Sequence, residues 1–173
     1  MQLTGKQIVE RNIIQNYDEE NAVQQQGIDV RVFRIGKVIE GEVGLLSKPF
    51  GFIPAVGKTK LPVTKWYEQF ELADEGVLIQ PGYYEIEFFE GCRIPNNYAM
   101  YFKTRSSVIR CGAEVRSGQF DAGFETTRMG AYLKVEIPIV IEYGARLAQV
   151  IVNETAESES TYNGQFQGDK QRK

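Results

Sequence analysis

The sequence predicts an all-β domain, a sandwich or jelly roll, preceded by one short helix. Three observations carry this prediction. Short runs of apolar residues suited to strands recur between Gly27 and Val152, turn signals rich in Gly and Pro separate them, and little helical periodicity follows residue 16. The chain has 173 residues, enough for a single domain with a real core, so we expect 1–173 to be one unit with 153–173 as a mobile C-terminal segment.

In chain order, Thr4-Gly-Lys-Gln7 reads as a capping box, and Ile8, Val9, Ile13 and Ile14 then give an amphipathic helix ending near Asn16. Tyr17 to Gln26 is a polar connector. Gly27 to Phe33 alternates as a half-buried strand does, with Asp29 and Arg31 on the face opposite Ile28, Val30 and Val32. Those two charges either pair at a surface or place Asp29 to hold a metal or steady an arginine. Lys37 to Val43 reads as another strand, and Ser47 to Trp66, with Pro49, Pro54 and Pro62, as mostly loop. Gly76 to Gln80 and Tyr83 to Phe89 are strands joined at Pro81-Gly82, and Gly91 to Pro95 turns the chain into a strand from Tyr98 to Thr104. In Ala131 to Ile137, Leu133, Val135 and Ile137 face one way. Ile139 to Tyr143 and Leu147 to Val152 form a hairpin-like pair about Gly144-Ala-Arg146. The polar tail contains Tyr162-Asn-Gly-Gln-Phe-Gln-Gly168, a segment suited either to closing over a flat ring or to remaining disordered.

Composition narrows the chemistry. The chain has no histidine, which removes Ser-His-Asp and Cys-His catalysis. With only two cysteines, Cys92 and Cys111, it also lacks the common zinc sites, so hydrolysis would use carboxylates and any metal would be a hard cation such as Mg²⁺. The formal net charge of −3 argues against general nucleic-acid binding but leaves room for a small anion at a local arginine cluster. No apolar run approaches the ~18 residues of a membrane span. Met1-Gln-Leu-Thr-Gly-Lys6 lacks an apolar leader, so the expected compartment is the cytoplasm, with both thiols free.

The chemistry-bearing stretch is Tyr101-Phe-Lys-Thr-Arg-Ser-Ser-Val-Ile-Arg-Cys-Gly112. Arg105, Ser106, Ser107 and Arg110 form a donor set suited to a polyphosphate: planar guanidinium forks with hydroxyls between them. Asp121 follows between Phe120 and Ala122-Gly123. Like charges repel, so it is suited to positioning a water, a sugar hydroxyl or a metal rather than to binding phosphate. Glu136 is either a catalytic carboxylate on a strand or part of its solvent face, and the residues alone favour the solvent face.

Taken in order, these stretches resemble the dUTPase and dCTP deaminase superfamily over nearly the whole chain. Gly27-Ile-Asp-Val-Arg31 resembles the first motif, whose Asp helps hold Mg²⁺ through water. Arg105 to Gly112 resembles the second, which grips the phosphates. Phe120-Asp-Ala-Gly-Phe124 resembles the third, where Asp contacts the sugar 3′-hydroxyl and the reactive water and the aromatic packs under deoxyribose. Gly144-Ala-Arg-Leu-Ala-Gln149 resembles the fourth, whose Gln reaches the nucleotide. Tyr162 to Gly168, with Phe166 and Gln167, resembles the C-terminal segment that closes over the nucleotide in the deaminase-like branch.

The resemblance implies a distorted jelly roll (the dUTPase-like β-clip) and a homotrimer with sites at subunit interfaces, to which Ser47–Trp66 and the tail contribute. It implies a deoxyribonucleoside triphosphate as substrate, dUTP or dCTP. Deaminases use a Glu at the place of Glu136. Ala113 to Gln119, however, lacks their Thr-Ala pair and is shorter, as in deaminase-like dUTPases of archaea and their viruses. The expectation is therefore dUTP hydrolysis with water placed by Asp121. The alternatives are dCTP deamination with Glu136 as base, and a non-catalytic nucleotide-binding regulator. Glu125-Thr-Thr-Arg-Met129 reads as an insertion in the hairpin that normally reads the base.

Overall fold

Gly27–Val38 becomes a twelve-residue strand in the middle of the main sheet. The computed structural model describes residues 1–38, 44–47, 51–54, 67–70, 72–164 and 167–169. Across the main sheet the order is Tyr98–Thr104, Arg146–Glu154, Gly27–Val38, Gly82–Phe88, Gly130–Val135 and Ala113–Arg116, with every pairing antiparallel. The outer two of these strands meet through side chains. Thr104 Oγ1 lies 3.0 Å from both the N and the O of Val115, and Ser117 Oγ accepts from Phe102 N at 3.2 Å. The sheet therefore rolls almost closed, leaving little free edge.

Inside the roll, Ile28, Val30, Val32, Ile86, Phe88, Leu133, Val150 and Val152 have no solvent exposure. Each such side chain contributes about 1.5–3 kcal/mol by leaving water. Against this core lies a small sheet in which Gly91–Arg93 pairs with Ile14–Gln15 on one side and Glu125–Thr126 on the other. Its Cys92 is fully buried, and that burial pushes the thiol up to about 12. Cys111 is exposed, and both cysteines are free. Among the described residues, no helix is long and apolar enough to cross a membrane.

The mostly-β prediction and the Tyr98–Thr104 strand hold as read. The capping box is present: Thr4 N donates to Gln7 Oε1 at 2.9 Å, and Gln7 N to Thr4 Oγ1 at 3.3 Å. The helix it starts is shorter than expected, Gly5–Glu10, because Asn12 (φ 51°) and Asn16 (φ 59°) take the left-handed conformation that asparagine tolerates. Ile13 and Ile14 are buried as expected, but on the way into a strand.

Several pairings also differ. Gly91–Arg93 is a strand rather than a turn. Ile139–Ile141 pairs with Val77–Ile79, not with Arg146–Glu154. The strand Gly130–Val135 ends short of the expected Ile137, which is 56% exposed. Part of the expected Ser47–Trp66 loop is instead a hairpin, Gly44–Ser47 with Gly51–Pro54, while residues 55–66 lie outside the described residues. So do residues 39–43 of the expected Lys37–Val43 strand, whose first two residues end the long central strand. The last strand of the main sheet runs to Glu154, past the expected start of the tail.

Candidate active site

Strand register assembles the first group of polar residues. Gln149 stands opposite Lys103 on one side and Asp29 on the other, and Arg105 follows the end of the Tyr98–Thr104 strand. Asp29, expected on a half-exposed face, is only 2% exposed: the Arg146–Glu154 strand runs past it on one side, and on the other its N–H donates to Ala22 O at 2.8 Å, next to the Val23–Gln24 pairing. It does not pair with Arg31, which bonds to buried Glu90 instead, Nε to Oε1 at 2.7 Å. Asp29 Oδ2 faces two guanidiniums: Arg105 Nε at 3.0 Å and Arg146 NH1 at 3.6 Å. Oδ2 accepts no hydrogen bond from either, so these are charge contacts. Oδ1 receives a long hydrogen bond, 3.5 Å, from Gln149 Nε2. Burial raises the Asp29 pKa, and Arg105, Arg146 and Gln149 pull it back.

Arg105 and Arg146 are themselves tied to the backbone. Arg105 NH1 donates to Arg146 O at 3.2 Å, and Arg146 NH1 donates to Asn21 O at 2.7 Å. The corner is a short helix, Ser106–Arg110, entered at Arg105, and it leaves Ser106, Ser107 and Arg110 exposed. Two fixed guanidiniums and an exposed hydroxyl-bearing turn make a surface suited to several anionic oxygens.

This group does not make a protein metal cage. Asp29 is in contact with two positive groups, and the described residues hold no cluster of three or more Asp, Glu, Cys or His. A resident Mg²⁺ held by these side chains does not fit. Mg²⁺ is commonly bound through one or two carboxylates plus the oxygens of a phosphate substrate.

The second group forms on the other side of the Tyr98–Thr104 strand. Phe120 and Met100 exchange backbone hydrogen bonds of 2.7 and 3.0 Å, which fixes the residue immediately before Asp121. The Asp121 carboxylate is exposed and accepts from Gln119 Nε2 at 3.1 Å. Gly123 turns the chain at φ 82°, where an added Cβ would lie 2.6 Å from Thr161 Cβ. An aromatic row then runs Phe102, Phe120, Phe124, Tyr162, with successive centroids 5.3, 5.4 and 5.3 Å apart. Gln167 bonds to this segment, donating to Gly123 O at 2.9 Å and accepting from Glu125 N at 3.2 Å.

The chain thus brings Asp29, Arg105 and Gln149 together, and separately Phe120, Asp121, Phe124, Tyr162 and Gln167. No described contact joins the two groups within one protomer. Glu136 belongs to neither: its carboxylate is exposed and ion-paired with Lys134, and its N–H donates to Gly112 O at 2.9 Å. Phe166 lies outside the described residues. Sequence reasoning missed Arg146, although it lies in the quoted stretch ending at Gln149. It also missed Gln119, Glu90 and Asp169, which no local pattern marks.

A rolled β-sheet that sets a buried carboxylate against two arginines, with a separate exposed Asp among aromatics, makes a polar surface in a β-protein that has no histidine. The sequence model of the dCTP deaminase-like family matches residues 2–155, and the chain belongs to that family. It is 35% identical over 159 residues to the deoxyuridine 5′-triphosphate nucleotidohydrolase of Methanocaldococcus jannaschii, covering 91% of this chain and 94% of the relative. It is 31% identical to a probable deoxyuridine 5′-triphosphate nucleotidohydrolase of Halobacterium salinarum, covering 87% and 86%. The dCTP deaminase of Acidianus ambivalens is 26% identical, over 86% and 80%. In fold it matches the crystal structure of 2′-deoxycytidine 5′-triphosphate deaminase from Agrobacterium tumefaciens with a TM-score of 0.65 at 17% identity. That match covers 88% of this chain, which spans about half (48%) of the Agrobacterium chain.

Proposed function

We propose that this protein hydrolyses dUTP to dUMP and diphosphate, taking Mg²⁺–dUTP as its substrate. The observation that carries the reading is the 35% identity, across nearly both whole chains, to an archaeal deoxyuridine 5′-triphosphate nucleotidohydrolase. The geometry supports it. The exposed Asp121 carboxylate, steadied by Gln119, is free to orient a water and take its proton as the oxygen attacks the α-phosphorus. The bond from that phosphorus to the bridging oxygen breaks, and diphosphate leaves with the electron pair. Arg105 and Arg110, with the hydroxyls of Ser106 and Ser107, stabilise charge on the phosphate oxygens. Asp29 keeps Arg105 oriented, and Gln149 completes that arrangement. Phe120, Phe124 and Tyr162 supply the apolar surface for sugar and base, with Phe166 and Gln167 of the tail beside them.

The two groups come from separate parts of one protomer, which supports a homotrimer in which Asp121 of one copy faces the arginines of the next. Single-domain behaviour over 1–173, with the segment after 153 closing on the nucleotide, belongs to the same proposal, as does a cytoplasmic location.

The deciding measurement is product analysis with Mg²⁺, offering dUTP and dCTP separately and reading nucleotides and ammonia. Conversion of dUTP to dUMP with dCTP untouched is the expected result. Ammonia release from dCTP would instead assign the chain to deamination with Glu136 as base. Nucleotide binding with no product from either would make it a regulator.

A further inference from the structure

The segment after Asp121 is an edge strand whose outer side is covered by side chains of the tail. On its inner side, Gly123 N donates to Ile94 O and Ile94 N donates to Phe124 O, both at 2.9 Å. Glu125 and Thr126 then pair with Arg93 and Cys92. On the outer side no strand follows in this sheet among the described residues. Instead the Gln167 carboxamide takes Gly123 O and Glu125 N, and the Asp169 carboxylate accepts from Thr127 N at 3.1 Å. The same carboxylate accepts from Thr127 Oγ1 at 2.8 Å and lies 2.6 Å from Thr126 Oγ1, whose single proton it shares with Arg128 O at 2.8 Å. One amide and one carboxylate therefore stand where the peptide groups of a neighbouring strand would, on an edge that otherwise presents open donors and acceptors.

The tail backbone is shaped for this contact. Gly168 (φ 62°) and Asp169 (φ 59°) are both left-handed, a conformation that glycine and aspartate tolerate better than most residues. Both threonines lie in Glu125–Met129, which reads in the sequence as an insertion; that stretch supplies the donors and the tail supplies the acceptor.

We propose that Asp169 and Gln167 are positioning residues: by bonding to the outer edge of Gly123–Thr127 they fix the chain that carries Asp121. Neither needs to touch the reacting atoms to do this. The effect on turnover rests on the hydrolase reading above; the clamp itself does not. Misplacement of a catalytic group by about 1 Å costs on the order of 10²-fold in rate, so a clamp this close in sequence to Asp121 registers in kcat.

The test uses the full chain with Asp169→Ala, Asp169→Asn and Gln167→Ala. Amide hydrogen exchange at Glu125 and Thr127 is read by NMR, and kcat and KM are measured on Mg²⁺–dUTP. Asp169→Ala should speed exchange at Thr127, and Gln167→Ala at Glu125, each by roughly 10-fold or more. Asp169→Ala should lower kcat by about 10-fold with KM within about 2-fold. Asp169→Asn keeps one acceptor oxygen and should recover part of the loss. Unchanged exchange at Thr127 and Glu125 overturns the clamp. A fall in activity that only follows the folded fraction overturns the positioning role. If the wild type does not turn over dUTP, the hydrolase reading fails, and the exchange rates alone decide whether the clamp exists.

Discussion

Asp29 and Asp121 lie on either side of the Tyr98–Thr104 strand, one beyond its Lys103 end and the other beyond its Met100 end, and are held in opposite ways. Asp29 is buried, set by the register of long paired strands and in contact with two arginines. Asp121 is exposed, and the chain around it is secured by a short bridge to Met100 and by side chains arriving from more than forty residues downstream. The first carboxylate is part of the scaffold and orders Arg105, proposed above to meet phosphate, and Arg146. The second stands where substrate and water have access. A charge used for positioning is well served by burial, whereas one that must exchange a proton with a reacting water is not.

That contrast breaks most readily at Asp121. Asp121→Asn should lower kcat for dUTP by about 10³-fold or more while nucleotide affinity stays near wild type, read by product assay beside calorimetric binding. Arg105→Ala should act on stability as well as turnover. It leaves the Asp29 carboxylate with Arg146 alone, and we expect a loss of about 2 kcal/mol in denaturant unfolding, below the ~3–5 kcal/mol of a wholly buried pair because Arg105 is partly exposed and Arg146 remains.

Glu90, fully buried beneath Arg31, sharpens the comparison through pH. Burial raises its pKa, and the bonds from Arg31 oppose the rise. The folded state then holds the proton more tightly than the unfolded chain, so this group's contribution is fully present below the unfolded value and is lost as pH rises through the folded one. The stability of the wild type minus that of Glu90→Gln should therefore fall from about pH 4.5 upward and then level, in thermal melts taken across that range. The smallest effect is expected at Glu136, where Glu136→Gln should change dUTP turnover by less than about 2-fold, because its carboxylate meets solvent and Lys134.

The legible parts of the sequence were those whose cause is local. Thr4 and Gln7 announce a capping box, the apolar spacing of Tyr98–Thr104 announces a strand, and Arg105, Ser106, Ser107 and Arg110 fall in one corner because they are neighbours in sequence. Pairing partners were not legible: Ile139–Ile141 lies near Arg146–Glu154 in the chain yet pairs with Val77–Ile79, a choice made by packing. The burial of Asp29 depends on strands that arrive from both sides, and alternation alone describes only one strand. The aromatic half of the site was partly visible, since Phe120, Phe124 and Tyr162 sit in recognisable stretches. Asp169 was not, because its value lies in two threonines more than forty positions earlier.

Cys92 has a practical consequence. It is fully buried at the centre of the small sheet, whereas Cys111 is exposed at the end of the short helix Ser106–Arg110. A thiol reagent at neutral pH should thus titrate one group quickly and the second only when Gly91–Arg93 separates from its partners. The slow phase is a clock for the opening of the sheet that anchors Glu125 and Thr126. Its dependence on added nucleotide would report, without label or engineered probe, how firmly a bound ligand holds that edge shut.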